Sequence, residues 1–223
     1  EIWRSNVAEF TPMMQQYLET KKEYKDCILF YRLGDFYEMF FDDAVTASRE
    51  LELTLTGKDC GQEERAPMCG VPYHAVESYL NRLISKGYKV AICEQVEDPK
   101  TAKGIVKREV IRVVTPGTNL NMQALDESKN NYLMSIVYLG DELGVSVVDF
   151  STGDYFVTEV SSGNILIDEI NKFVPSEIII NEYFAMSGID LDPVREKLGI
   201  SVSALPNWYF DESLCVRKLC EHF

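Results

Sequence analysis

The chain alternates short apolar runs with polar punctuation, and the period of the apolar positions assigns most of its elements. Thr11-Pro12 followed by Met13, Met14, Tyr17 and Leu18 has the form of an N-cap, a proline at the first helical position and an amphipathic helix reaching about Tyr24. Cys27-Ile28-Leu29-Phe30-Tyr31-Arg32 follows as a buried strand stopped by Leu33-Gly34. The pattern then predicts a second helix from Asp35, with Asp35 as N-cap and Glu38 completing a capping box. Tyr37, Phe40, Phe41, Ala44, Ser48 and Leu51 would share its apolar face. Leu53 to Thr56 reads as a short strand and Gly57 to Glu64 as a polar loop. Pro72-Tyr73 opens a third helix with Val76, Tyr79, Leu80 and Leu83 on its apolar side, closed by Gly87. With strands at Tyr88 to Cys93 and Val106 to Val114, the first 115 residues alternate helix and strand around one mixed sheet.

Thr115-Pro116-Gly117-Thr118-Asn119 breaks that rhythm, and the expected division is a first domain over 1–115, a linker over 116–130 and a second domain over 131–223. In the second part, Tyr132 to Leu139, Gly144 to Phe150 and Asp154 to Val160 read as three strands joined by tight turns, an antiparallel meander. A helix over 164–173, a strand at Glu177 to Asn181, a helix started by Pro193 and ended by Gly199, and a strand at Ile200 to Ala204 make this domain α/β. A last helix begins near Asp211 and is still running at Phe223, with Cys215, Leu219 and Phe223 at four-residue spacing. The chain is therefore expected to stop inside a domain.

Composition narrows the class. With 223 residues, 46% hydrophobic and 26% charged, the chain has enough apolar content to fold and enough length for two modest domains. No apolar run approaches the roughly 18 residues of a membrane span, and nothing at the N-terminus has the form of a signal peptide. A cytoplasmic protein trimmed of its first residues is the expectation. The six cysteines form no C-x-x-C pair and lie at no zinc-finger spacing from His74 or His222, so free thiols are expected rather than disulfides or a metal site. A net charge of -14 argues against a general nucleic-acid coat. That charge is uneven: the first 115 residues carry about -3 and the rest about -11. Lys100, Lys103, Lys107, Arg108 and Arg112 gather just before the change, so a polyanion could dock in the first half. No G-x-x-x-x-G-K-[ST] loop occurs, which excludes a P-loop ATPase within these residues.

The residues that invite a functional reading are Gly34-Asp35-Phe36-Tyr37-Glu38. In a helix first turn, Phe36 and Glu38 would both fall off the apolar face and lean past the helix end. They offer an aromatic wedge and a hydrogen-bonding carboxylate, or else an edge-packing residue and half of a capping box. His74, in a helix first turn, reads as a capping or packing residue and is given no chemistry. Lys58 in the polar loop and Lys107 and Arg108 in the basic stretch are the candidate phosphate contacts, against surface ion pairing as the other use.

Five blocks, Thr11–Leu18, Phe30–Phe40, Pro67–Ala75, Val90–Gln95 and Arg112–Thr118, resemble in order the successive motifs of the bacterial DNA mismatch repair family MutS. Residues 130–223 resemble, less tightly, most of that family's connector domain. The resemblance implies an α/β chain: a mixed-sheet mismatch-recognition domain followed by a ribonuclease-H-like connector domain. It implies that Phe36 is the wedge that enters the minor groove and stacks on a mispaired base, and that Glu38 hydrogen-bonds that base. It puts Lys58 and Arg108 where the family binds DNA backbone, while the acidic Glu63-Glu64 departs from the family's commonest loop and leaves Arg65 unassigned. The partner implied is mismatched double-stranded DNA. ATP with Mg, the homodimer surface and the MutL-type partner would belong to regions beyond Phe223, so no catalytic residue and no cofactor is expected in this chain. Two alternatives stand beside this reading. One is a MutS paralogue for another DNA structure, disfavoured by the joint presence of Phe36 and Glu38. The other is a metal-dependent ribonuclease-H-like nuclease built on Asp149 or Asp168-Glu169, although the first strand of that domain carries no acid.

Overall fold

A computed structural model describes residues 10–97, 104–119 and 130–222. It divides into two units, Glu1–Thr115 and Pro116–Phe223. Lys100, Lys103, the segment 120–129 and Phe223 lie outside the described residues. Among the described residues no helix is long and apolar enough to cross a membrane.

In the first unit the elements run α1 (Pro12–Glu23), β1 (Cys27–Leu33), β2 (Phe36–Phe40), α2 (Phe41–Leu51), β3 (Thr56–Lys58), β4 (Ala66–Pro72), α3 (Val76–Ile84), β5 (Lys89–Gln95) and β6 (Arg108–Val114). The strands form one mixed sheet in the order β3-β4-β2-β1-β5-β6, with only the β1–β5 pair parallel. The near-continuous apolar run of β1 follows from cover on both faces. Its Ile28 and Phe30 pack with Ala44, Leu51, Leu80 and Leu83 of α2 and α3. Leu29 and Tyr31 pack with Met14 and Tyr17 of α1 and with Phe40.

The helix expected from Asp35 does not form. Leu33 pairs with Phe36 across a two-residue turn, Gly34 takes the left-handed φ of 57° there, and residues 36–40 are a strand. There is no capping box. The run Phe36 to Phe41 satisfies both the helical and the strand period, and pairing of β2 with β4 decides between them. Strand β4 is not among the elements the sequence pattern predicts. α2 starts only at Phe41, which sits at φ 54°, a conformation uncommon for a residue with a Cβ, so that strand passes into helix without a loop. The strand expected at 53–56 is found at Thr56–Lys58, which places Lys58 in β3 rather than in a loop. α3 begins at Val76, after a single 3-10 turn at Tyr73–Ala75. Thr11 precedes α1, but its hydroxyl makes no capping bond; Pro12 and the Gln15 amide bonded to the Thr11 carbonyl start that helix.

Of the buried polar groups in this unit, the Thr11 hydroxyl has no hydrogen-bond partner among the described residues, whereas the buried Asp43 is fully engaged. Asp43 accepts from the Leu29 amide at 3.0 Å, Lys21 Nζ at 2.9 Å and the Tyr17 hydroxyl at 3.3 Å. Burial still pushes its carboxyl above the usual aspartate range. Cys27, Cys60, Cys69 and Cys93 are free and buried, and burial raises the thiols of Cys27, Cys69 and Cys93 to about 12, so they are protonated core residues.

The second unit runs β7 (Tyr132–Leu139), β8 (Glu142–Asp149), β9 (Tyr155–Val160), α4 (Gly163–Phe173), β10 (Glu177–Asn181), α5 (Asp192–Leu198), β11 (Ser201–Leu205) and α6 (Glu212–His222). β7, β8 and β9 form the expected antiparallel meander, and β10 and β11 add in parallel on the far side of β7. The order β11-β10-β7-β8-β9 is that of a ribonuclease-H-like sheet. Met134, Ile136, Val145, Leu166, Ile170 and Ile178 form its core. The α/β architecture read from the sequence thus holds for both units.

Candidate nucleic-acid interface

Strand alternation sorts β2 into two sets. Tyr37 and Met39 enter the core under α2 and α3, and Phe40 is buried on the opposite face, edge-on to Tyr17 at 4.9 Å. Phe36 and Glu38 share the face of Phe40 but lie toward the hairpin end, where Phe36 is 46% exposed.

That hairpin end is held by its carbonyls. Arg32 Nε donates to the Gly34 carbonyl at 2.5 Å, Arg108 Nε to the Arg32 carbonyl at 2.7 Å, and the Tyr73 amide to the Asp35 carbonyl at 2.9 Å. The Arg32 guanidinium also stacks 4.0 Å from the Tyr73 ring and reaches Glu94 Oε1 at 3.4 Å, where the Tyr37 hydroxyl donates as well. Burial, reinforced by Glu94, lifts the Tyr37 phenol to about 12, so it stays a donor. Phe36 therefore stands on a rigid support rather than a loose loop.

Glu38 is placed by the strands on either side of it. It lies opposite Tyr31 on β1 and opposite Gly70 on β4. A Cβ at Gly70 would come within 3.5 Å of Glu38 Cγ and 3.3 Å of the Tyr37 carbonyl. The absence of a side chain there leaves room for Glu38 to lean over β4 toward β3. There Lys58 Nζ meets Glu38 Oε2 at 2.6 Å, with side-chain exposures of 32% for Lys58 and 16% for Glu38. The same ammonium sits 5.7 Å from the Phe40 ring.

The three residues Phe36, Glu38 and Lys58 are thus brought together. The other two sequence candidates are used differently. Arg108 turns into the domain: beyond the Arg32 carbonyl it donates to Gln16 Oε1 at 3.2 Å and the Val106 carbonyl at 2.8 Å, and it lies 5.2 Å from the Tyr31 ring. Its contribution to the hairpin is a brace. Lys107 is exposed and paired with Glu109 at 2.5 Å, a hydrogen bond that raises its ammonium above the ordinary lysine value. Arg32, Tyr73, Glu94 and Gly70 were not singled out from the sequence, although each lies inside one of the five motif blocks. His74 lies in the 3-10 turn before α3, edge-on to Tyr73 at 5.8 Å.

In the second unit Asp149 is buried and accepts from the Asn131 amide at 3.0 Å, the Ser151 amide at 2.8 Å and the Ser151 hydroxyl at 2.6 Å. Burial alone would raise its carboxyl, but these donors outweigh it and hold the group below the usual aspartate value. Glu169 pairs with Lys172 at 2.9 Å. Among the described residues no three His, Cys, Asp or Glu side chains gather in a way that could hold a metal ion.

Fold and site together define a two-unit α/β chain in which a mixed-sheet unit precedes a ribonuclease-H-like one. Residues 11–123 match the family model described as MutS domain I, and residues 131–223 the one described as MutS domain II. The chain belongs to the MutS family. It is 64% identical over 217 residues to the DNA mismatch repair protein MutS of Lachnoclostridium phytofermentans, covering 97% of this chain and 23% of that protein. To the protein of the same name in Acetivibrio thermocellus it is 57% identical, covering 97% of this chain and 25% of the relative. To that of Ruminiclostridium cellulolyticum it is 56% identical, with coverages of 96% and 25%. The chain spans about a quarter of the length of these relatives.

Proposed function

We propose that this chain recognises mispaired or unpaired bases in double-stranded DNA, to initiate mismatch repair, by inserting Phe36 into the minor groove. The observation that carries the reading is a phenylalanine held 46% exposed at the end of a braced hairpin, beside a carboxylate and an ammonium. Insertion at a base step costs a few kcal/mol of unstacking, and the cost is lowest where pairing is already defective, so deformability supplies the discrimination. Rigidity matters, because a wedge that folds back loses its purchase; the three anchored carbonyls of Arg32, Gly34 and Asp35 support it. Glu38 adds a penalty on well-paired DNA, where a carboxylate near phosphates is repelled unless a base offers it a hydrogen bond. Lys58 supplies phosphate attraction next to the wedge, and Lys107 a further exposed cation.

ATP with Mg, a homodimer and a MutL-type partner are part of the reading for a protein of the relatives' length. The residues here do not fit the nucleotide: the chain has no phosphate loop, and its one Gly-Lys pair, Gly57-Lys58, is in β3. The nuclease alternative draws no support from Asp149, whose carboxylate closes a turn. The test is Phe36→Ala in the full-length protein, with dissociation constants on matched and mismatched duplexes at one fixed salt concentration. Loss of most of the mismatch preference is expected; undiminished preference rejects the wedge.

A further inference from the structure

Glu38 and Lys58 are opposite charges 2.6 Å apart in a partly covered site, and each is assigned a different role toward DNA. Both roles cannot be filled while they hold each other. An ammonium bound to a carboxylate is a poor phosphate ligand, and a carboxylate bound to an ammonium has no need of a base donor. We infer that the pair is a charge-exchange latch: a docked duplex draws Lys58 from Glu38 to a phosphate only where a base can satisfy the bared carboxylate. This inference rests on the mismatch-binding reading and makes Lys58 a positioning residue that sets specificity through Glu38.

The geometry favours exchange over a static bridge. The two side chains come from β2 and β3, which are not neighbours, and they meet over β4, where Gly70 leaves space above the backbone. Lys58 is the more exposed partner, so it meets an incoming polyanion first. Its shift is short, because a flexible four-carbon stem can swing its head several ångströms without moving the strand. Glu38, more covered and on the inner strand, stays behind. On well-paired DNA no base donor would replace the ion pair and the bared carboxylate would be repelled, so the latch stays closed and Lys58 makes no phosphate contact. At a defective step, where Phe36 displaces the base and exposes its hydrogen-bonding edge, Glu38 gains a donor and the exchange is balanced. Discrimination then comes from the cost of opening the latch as well as from unstacking.

A double-mutant cycle on the full-length protein tests this, with wild type, Lys58→Met, Glu38→Gln and the double variant each titrated on matched and mismatched duplexes over a salt series. In the wild-type background Glu38→Gln frees Lys58, so matched-duplex binding tightens by about tenfold and the log–log salt slope steepens by about one phosphate contact. In the Lys58→Met background the same change leaves the slope unaltered, and its tightening is smaller by about fivefold. Lys58→Arg, which keeps a cation, restores the wild-type coupling; Lys58→Gln replaces Lys58→Met in the cycle should the latter fail to fold. Additive effects, with Lys58→Met flattening the slope equally whether or not Glu38 is present, make Lys58 an independent phosphate contact and overturn the latch. A changed matched-to-mismatched ratio with no change of slope in any variant makes it a purely structural bridge, and also overturns it. Phe36→Ala on the same duplexes separates the two levels: lost preference with an additive cycle rejects the latch alone, whereas retained preference rejects the mismatch reading.

Discussion

The turns of the two sheets are tied down in opposite ways. At the β1–β2 turn the acceptors are backbone carbonyls and the side-chain donors are guanidinium groups, Arg32 to Gly34 and Arg108 to Arg32, with the Tyr73 amide on the Asp35 carbonyl. At the β8–β9 turn, beside the backbone bonds from the Gly153 amide to the Asp149 carbonyl and from the Asp149 amide to the Asp154 carbonyl, the side-chain anchor is one carboxylate, Asp149, and its donors are the amides of Asn131 and Ser151 and the Ser151 hydroxyl. Both arrangements rigidify a turn, yet only the first leaves cations next to an exposed ring. The second consumes an acid that, by residue type alone, could have been a metal ligand. A charged side chain in this protein is therefore assigned by what it already bonds, and the acidic second half owes part of its charge to internal anchoring.

The largest effect that sharpens the contrast is on β2 itself. Phe40→Ala should cost about 3–5 kcal/mol of first-unit stability, because it opens a cavity under α1, while Phe36→Ala should cost under ~1 kcal/mol. Chemical denaturation followed separately for each unit measures this; equal costs would mean that Phe36 is core.

Next in size is Asp149→Ala, which strands the buried Asn131 amide and the part-buried Ser151 amide and should cost about 2 kcal/mol in the second unit while leaving the mismatched-to-matched binding ratio unchanged. A shifted ratio would break the separation of anchoring from recognition. The same group gives a pH dependence of known sign. Its folded carboxyl lies below the ordinary value of about 3.9, so its contribution is fully present above that value and is lost as pH falls through the lower folded one. Replacement by Asn should therefore flatten the acid limb of second-unit stability measured between about pH 5 and pH 2.

The smallest effect belongs to the first turn. Arg32→Met removes the tie to Gly34 and the stacking on Tyr73, and should lower mismatch preference by about two- to fivefold with at most ~1 kcal/mol of stability lost. Loss of stability with unchanged preference would make the brace structural only.

Much of the architecture was legible because it rests on local pattern. Pro12 with the spaced Met14 and Tyr17, the uninterrupted run of β1, and the meander β7–β9 with turn residues between its strands each carry one dominant period. The motif blocks carried the family and pointed at Phe36 and Glu38. The position of these two on a strand was not legible, since Phe36-Tyr37-Glu38-Met39-Phe40 reads equally as a helical stripe or an alternating strand.

What the sequence determined by itself is therefore most of the elements and their order, β2 and β4 excepted, the two-part α/β plan, and Phe36 and Glu38 as the residues to examine. What only the tertiary structure decided is which period β2 obeys, and which charges hold each other. A five-residue segment has too few local hydrogen bonds to choose its own conformation, so its partner β4, 30 or so residues further along the chain, chose for it. The ion pair between Glu38 and Lys58 depends in turn on that choice, because it spans two non-neighbouring strands across the space left by Gly70, and no spacing along the chain encodes such a meeting.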